Sequence, residues 1–133
     1  MAKLVTLHDA NGGVIYPQTI SDMDYSTSEQ DTGCKWIDGE PIYRKTINFG
    51  ALPDASAKSV AHNITNLDHF VKVEAVAWTS SKAAAHLPFA SPILLGGAIS
   101  LLATSTSIDI NTGCDRLEFA NCYVTLWYTK TTD

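Results

Sequence analysis

The histidines are the residues of this chain whose chemistry could support catalysis. A histidine beside a nucleophilic serine and an aspartate acts as the general base of many hydrolases. His62 stands between two aliphatic residues of a predicted strand, a setting typical of a hydrogen-bonded interior or interface histidine. His8, His69 and His86 are scattered, and no GxSxG motif or strand-turn-helix context lies near them. We therefore expect no enzymatic activity and no cofactor.

Two groups of residues have the types, but not the spacing, of metal ligands. Asp109, Asn111 and Asp115 resemble a calcium loop, yet the sixth-position glycine and the closing glutamate of an EF-hand are missing. A plain Asn-Thr-Gly turn explains this segment more simply. Cys114 and Cys122 form no CxxC pair, and no histidine is placed to complete a zinc tetrahedron. We expect no metal site.

The three cysteines, Cys34, Cys114 and Cys122, are predicted to be free thiols. Small oxidised domains carry an even number of cysteines at higher density, whereas this chain has three in 133 residues. The first residues, MAKLVTLHDANGG, contain an apolar stretch too short for the hydrophobic region of a signal peptide. Both observations indicate synthesis in a reducing compartment.

Length and charge limit the classes of partner. A chain of 133 residues fits one domain and buries about two-thirds of the surface that it exposes when unfolded. The 14 acidic and 9 basic residues give a net charge of -5, so we expect no nucleic-acid partner and no anionic membrane partner. The longest weakly polar run, residues 92–103, contains two glycines and a serine, which favours a strand with a turn over a membrane span.

The pattern of the chain predicts strands. WIDGEPIYRKT, residues 36–46, predicts a tight turn at Asp38-Gly39 that starts a strand, because Asp-Gly tolerates the positive φ of a hairpin turn. Further strand signals follow between Gly, Pro and Asn turns, without a helical apolar stripe. The predicted strands are IYRKTINF, KSVAHNI, HFVKVEAVAW, AISLLAT, SIDI and the region RLEFANCYVTLWYTK. They indicate an all-β fold, an antiparallel β-sandwich of jelly-roll type.

Two segments lack a strand signal. TSSKAAAHLPFASP, residues 79–92, is predicted as a long loop with room for one helical turn, because no apolar stripe runs through its alanines. The polar run TISDMDYSTSEQDTG is predicted as a linker or surface-tracking segment. Before it, KLVTL and VIYP flank Asn11-Gly12-Gly13 and predict a small hairpin. We divide the chain into an N-terminal attachment arm, residues 1–24, and a β-sandwich module, residues 25–133.

The motifs resemble those of a known class of proteins. WIDGEPIYRKT, FGALPDASAKSVAHNITNLDH and the final YVTLWYTKTTD are similar to the C-terminal module of bacteriophage and prophage fibre proteins, and VTLHDANGGVIYP resembles their short N-terminal segments. The resemblance implies a homotrimeric β-sandwich on a virion that is assembled in the bacterial host cytoplasm. It also implies contacts to other virion proteins through the arm. Asn63 stands where similar modules have glycine, and asparagine tolerates positive φ best among the other residues.

Two functions remain open for such a module. In the first, it is a structural fibre or decoration module that contributes to host attachment. In the second, it is a dedicated carbohydrate-binding domain whose outer loops hold a host surface glycan, with Trp78, His86 and Phe89 near the site. Aromatic side chains suit either, because they stack on sugar rings and are enriched in subunit interfaces.

The last strand carries aromatic residues on both faces. Tyr123 and Trp127 share one face, opposite Tyr128. If the strand is central in its sheet, both faces are buried. Otherwise Tyr123 and Trp127 are exposed as a sugar platform or as a subunit interface. We favour the interface, because Trp127 is in mid-strand and recognition residues favour loops.

Overall fold

The computed structural model describes residues 7–8, 14–15, 24–90 and 97–131. These residues form ten strands and no helix, so none of them belongs to a helix long and apolar enough to cross a membrane. The strands are β1 Leu7–His8, β2 Val14–Ile15, β3 Gln30–Lys35, β4 Pro41–Asn48, β5 Ala57–Ala61, β6 Leu67–Trp78, β7 Ala84–Leu87, β8 Ile99–Ala103, β9 Ser107–Thr112 and β10 Asn121–Lys130.

The body of the protein consists of two antiparallel sheets. The larger sheet has five strands in the order β3-β4-β10-β6-β7, and the smaller has three in the order β5-β9-β8. Their inner faces share one hydrophobic core, as in a β-sandwich, which confirms the predicted all-β class. The core includes Ile47, Ala75, Leu87, Val124 and Leu126 of the larger sheet and Ile99, Ile108 and Ile110 of the smaller one.

Strand β10 lies at the centre of the larger sheet. It pairs with β4 on one side and with β6 on the other, and most of its residues are buried on both faces, although Tyr123 is exposed. Cys122, Val124, Leu126 and Tyr128 point into the core, and each is 0% exposed. The ring of Tyr128 stacks on Tyr43 at 6.2 Å between centroids. A central last strand was one of the predicted alternatives, and the structure confirms it.

A tight turn joins β3 to β4, as the Asp-Gly pair predicts. Gly39 has φ +86°, and its N–H donates to the carbonyl of Trp36 at 2.9 Å. The Asp38 carboxylate accepts from the N–H of Glu40 at 2.9 Å, which is the local bond that favours aspartate in turns. Strand β4 begins two residues after Gly39, at Pro41.

We expect Gly39→Val to destabilise the protein by about 1 to 3 kcal/mol, because a β-branched residue is strained at positive φ. A Cβ added at Gly39 has no atom within 4 Å, so the cost comes from backbone conformation and not from a clash. Urea denaturation measures the change. Gly39→Asn is the matched control and should lose less stability, since asparagine tolerates positive φ. Equal stability of Gly39→Val and the wild type would contradict the prediction.

Two strands were not predicted from the sequence. β7 lies inside the segment predicted as a loop, where Ala84–Leu87 pairs with the end of β6. β3 occupies the end of the segment predicted as a linker, where Gln30–Lys35 forms the edge of the larger sheet beside β4. Alanine-rich and polar segments carry little intrinsic strand signal, so pairing with a neighbour decides their structure.

Two local predictions are confirmed. Asn63 has φ +55° and so occupies the left-handed region that the sequence predicted for it. His62 is 1% exposed, and both of its ring nitrogens have partners. Its Nε2 lies 2.9 Å from the carbonyl oxygen of Thr104, and its Nδ1 accepts from the N–H of Ile64 at 3.1 Å. These bonds select the tautomer with the proton on Nε2 and make His62 a core histidine.

Only part of the predicted arm lies within the described residues. Leu7–His8 pairs with Val14–Ile15 in antiparallel register, as the predicted hairpin requires. The other arm positions before residue 24 lie outside the described residues, as does the stretch 91–96. The boundary between arm and sandwich at residues 24 and 25 stays a prediction.

The three cysteines are free and differ in burial. Cys34 is exposed, Cys114 is half-buried and Cys122 is buried. Burial raises the pKa of the Cys122 thiol to about 11, so almost none of it is the reactive thiolate at neutral pH. We expect a thiol reagent to label Cys34 in the native protein and Cys122 only after denaturation, as peptide mass spectrometry can measure. A denatured, non-reduced chain lighter by two hydrogens, or rapid native labelling of Cys122, would contradict this.

Candidate ligand groove

The outer face of the larger sheet, which points away from the core, carries rows of paired side chains. Cross-strand partners share a face, so the register defines each row. The first row runs from Tyr123 through Val76 to His86. The second row runs from Glu74 through Thr125 to Thr46, and the third from Lys72 through Trp127 to Arg44.

A groove of about 530 Å³ covers the first two of these rows. This volume is within the range of small-molecule sites in proteins. Most of its surface is apolar, and its lining includes three aromatic residues, Tyr25, Trp78 and Tyr123, together with Glu74 and His86. We call this site the outer groove.

Trp78 and Tyr123 form an aromatic corner in the outer groove. Their ring centroids are 6.0 Å apart and the ring planes make an angle of 65°. The residues are 36% and 37% exposed, so each keeps part of its surface open to a ligand. Trp78 is the last residue of β6 and Tyr123 is near the start of β10, so the sheet itself fixes the position of both rings. A rigid apolar surface of this kind can stack against the C–H face of a sugar ring.

Polar groups lie on the floor of the outer groove. The hydroxyls of Thr46 and Thr125 are 3.0 Å apart and hydrogen-bonded to each other across β4 and β10. Both residues are less than a tenth exposed. Glu74, paired with Thr125, places a partly exposed carboxylate beside them. Its described partner is Lys72, whose Nζ is 3.5 Å from the Glu74 carboxylate.

The segment before β3 forms one wall of the outer groove. The carbonyl of Ser26 accepts from the N–H of Thr46 at 3.0 Å, which extends the pairing of this segment along β4. The guanidinium of Arg44 lies 4.1 Å from the ring centroid of Tyr25 and donates to the carbonyl of Asp24 at 2.9 Å. These contacts hold Tyr25 at the groove although the residue is 62% exposed.

A second, smaller set of contacts holds the same segment to β10. The hydroxyl of Tyr128 donates to the Glu29 carboxylate at 2.7 Å, and Lys130 forms an ion pair with it at 2.9 Å. Burial acts to raise the pKa of Glu29, but the hydrogen bonds from Tyr128 and Lys130 outweigh burial and lower that pKa. Glu29 is therefore charged at neutral pH and links the wall segment to the centre of the sheet.

The predicted binding residues separate in the structure. Trp78 and His86 both line the outer groove, and Tyr123, predicted as an interface residue, lines it with them. Phe89 is elsewhere: it packs on the core, bridges to Ile99 and lies 5.4 Å under the guanidinium of Arg116. The assignment of Phe89 to a binding site stays a prediction, without support from the outer groove.

Trp127 is covered by its own chain. It is 9% exposed, and the Lys72 ammonium lies 4.6 Å from its ring centroid. The ring is next to the outer groove but does not line it. An interface role for Trp127 stays a prediction, and the exposed aromatic residue of this strand face is Tyr123.

Sequence reasoning missed several groove residues, of which Tyr25 and Glu74 have the most distinctive chemistry. Tyr25 is a lone aromatic residue in a polar run, and that isolation is the signal that could have singled it out. Glu74 alternates with the core residues of β6 and so points outward, but alternation gives no sign of a groove. Its role depends on the pairing with β10, which the sequence of β6 does not reveal.

The described residues also include one group with metal-ligand chemistry, Asp38, Asp68 and His69, whose ligand atoms lie within 4.8 Å of one another. Nδ1 of His69 is 3.0 Å from the Asp68 carboxylate and 3.0 Å from the hydroxyl of Thr129. Asp38 caps the β3–β4 turn. The hydrogen bond between Asp68 and His69 accounts for the proximity of these two side chains, and both carboxylates of the group are on the surface.

Comparison with known proteins gave no match to a family model, to a curated protein or to a solved structure. The interpretation of function therefore depends on the groove and on the resemblance of the sequence motifs.

Proposed function

We propose that this protein is a bacteriophage virion module that contributes to host attachment by binding a host surface saccharide in the outer groove. The observation that carries the saccharide part is the aromatic corner of Trp78 and Tyr123, which is exposed, fixed by two strands and next to hydroxyl and carboxylate groups. Sugar sites combine an apolar stacking surface with a few polar groups that fix orientation. The proposed role is binding without a chemical reaction.

The virion part of the proposal has a different support, which is the resemblance of the sequence motifs to fibre modules. This part of the proposal includes a jelly-roll order of strands, a homotrimer, and attachment to other virion proteins through residues 1–24. A purely structural module, with no ligand, is the second function that the same resemblance allows. Light scattering of the purified protein tests the trimer, and a stable monomer at micromolar concentration would refute it.

A glycan array followed by NMR tests the saccharide part. We expect at least one bacterial surface saccharide to bind, and the indole N–H of Trp78 to shift on titration with that saccharide. Trp127 is the internal control, because its ring is covered and should shift less. Absence of binding across the array, or shifts confined to residues outside the outer groove, would overturn the proposal and favour the structural module.

A further inference from the structure

We propose that the outer groove binds a ligand with a positively charged ammonium group more tightly than a matched neutral or anionic ligand. That the ligand is a saccharide rests on the proposed function. The preference for a positive charge rests on the residues of the groove.

The ionisable groups of the groove favour a cation. Among the described residues that line it, Glu74 has a carboxylate, His86 has an imidazole, and no lysine or arginine is present. The whole chain carries a net charge of -5, which adds a weak attraction for cations. A ligand in the outer groove therefore meets a fixed negative charge without a fixed positive one in the lining.

The two cations in the adjacent row of the outer face, Arg44 and Lys72, are engaged in other contacts. Arg44 is 3% exposed and stacks on Tyr25, so it offers little to a ligand. Lys72 lies over the ring of Trp127 and is 3.5 Å from the Glu74 carboxylate. Both side chains of this ion pair are about half exposed, and such pairs are weak in water. Lys72 therefore competes only weakly with a bound ammonium group for the Glu74 carboxylate.

The aromatic corner adds a second attraction for the same charge. A cation within about 6 Å of an aromatic centroid is attracted by the π electrons, and quaternary ammonium groups are recognised by several rings at once. The Trp78 and Tyr123 rings meet at 65°, so an ammonium group can contact both. Glu74 pairs with Thr125, and Tyr123 is two residues from Thr125 on the same face. Glu74 and Tyr123 are therefore diagonal neighbours, which in a sheet are about 7 to 8 Å apart. The rings and the carboxylate can therefore act on one group.

Two saccharides that differ only in this substituent test the inference. The probes are a tetramer of N-trimethylated glucosamine, whose charge does not depend on pH, and a tetramer of N-acetylglucosamine. By calorimetry with the wild-type protein, we expect the charged tetramer to bind about tenfold more tightly. Glu74→Gln keeps the shape of the side chain and should reduce that preference to less than about threefold. Lys72→Gln, which removes the competing cation, should increase it.

Choline separates this inference from the saccharide proposal, because it has the ammonium group without a sugar. Binding of choline to the wild type, weakened in Glu74→Gln, would support the charge preference even if no saccharide binds. Equal affinity for the two tetramers would overturn the charge preference and leave the saccharide proposal standing. Tighter binding of a uronic acid tetramer than of the acetylated one would also overturn it. Absence of binding by choline and by the charged tetramer would overturn the charge preference, whereas the saccharide proposal is decided by the glycan array.

Discussion

Trp78→Ala is expected to raise the dissociation constant for the saccharide at least tenfold while the protein stays folded. Central aromatic residues of binding sites cost about 2 kcal/mol or more when truncated. The fold depends less on Trp78, because the ring is 36% exposed and its described aromatic contact is the edge contact to Tyr123. Such a contact contributes about 0.5 to 1.5 kcal/mol. Calorimetry measures the binding, and urea denaturation measures the stability.

Two controls make this result specific to the groove. Trp78→Phe keeps an aromatic surface and should retain part of the affinity. Leu102→Ala removes an exposed apolar side chain from the outer face of the smaller sheet, where Leu102 pairs with Asp109. It should change neither binding nor stability by much. Full saccharide binding by folded Trp78→Ala would show that the aromatic corner is not part of the binding site.

Trp127→Ala is expected to destabilise the folded protein by about 3 to 5 kcal/mol, the usual cost of truncating a large buried aromatic residue. Trp127 is 9% exposed within a single chain and lies under Lys72, so the loss does not require a subunit interface. For a domain with a total stability of about 5 to 15 kcal/mol, this is a large fraction. Urea denaturation measures the loss, and light scattering in parallel reports the oligomeric state.

Comparison with two milder variants separates packing from assembly. Trp127→Phe should lose less stability because it retains a ring, and Lys72→Met should lose only the cation contact, about 0.5 to 1 kcal/mol. If Trp127→Ala dissociates a trimer but leaves the unfolding of the monomer unchanged, the residue acts in an interface. Unchanged stability together with unchanged assembly would contradict the prediction that the buried Trp127 ring stabilises the fold.

The sequence predicted the elements that have a strong local signal. Alternation of apolar and polar residues identified β6, and Asp38-Gly39 identified the turn before β4. Both edge strands of the larger sheet were missed. Strand β7, Ala84–Leu87, has few β-formers and depends on β6 for its hydrogen bonds. Strand β3 was missed for the same reason, since polar residues are usual on an exposed edge.

The candidate site was predictable only in part, because a groove is a property of register. Trp78 and His86 were singled out as residue types, and the sequence did not show that β7 folds back along β6 to bring them to one face. Tyr123 joins them because β10 pairs with β6 with Tyr123 opposite Val76. A shift of one residue in that pairing would move Tyr123 into the core. Phe89 lies two residues past Leu87, the last residue of β7, and like Leu87 it packs on the core, whereas His86 lines the outer groove.

The central position of β10 has a consequence for how the chain folds. Its partners β4 and β6 precede it by tens of residues, so the larger sheet is held together mainly by contacts between distant parts of the chain. Proteins with high contact order fold slowly, in milliseconds to seconds, because long loops must close before such contacts form. While the chain is being synthesised, β4 and β6 each lack a neighbour until β10 leaves the ribosome. Nascent chains that stop before residue 121 should therefore expose two unpaired strand edges and should aggregate or bind chaperones.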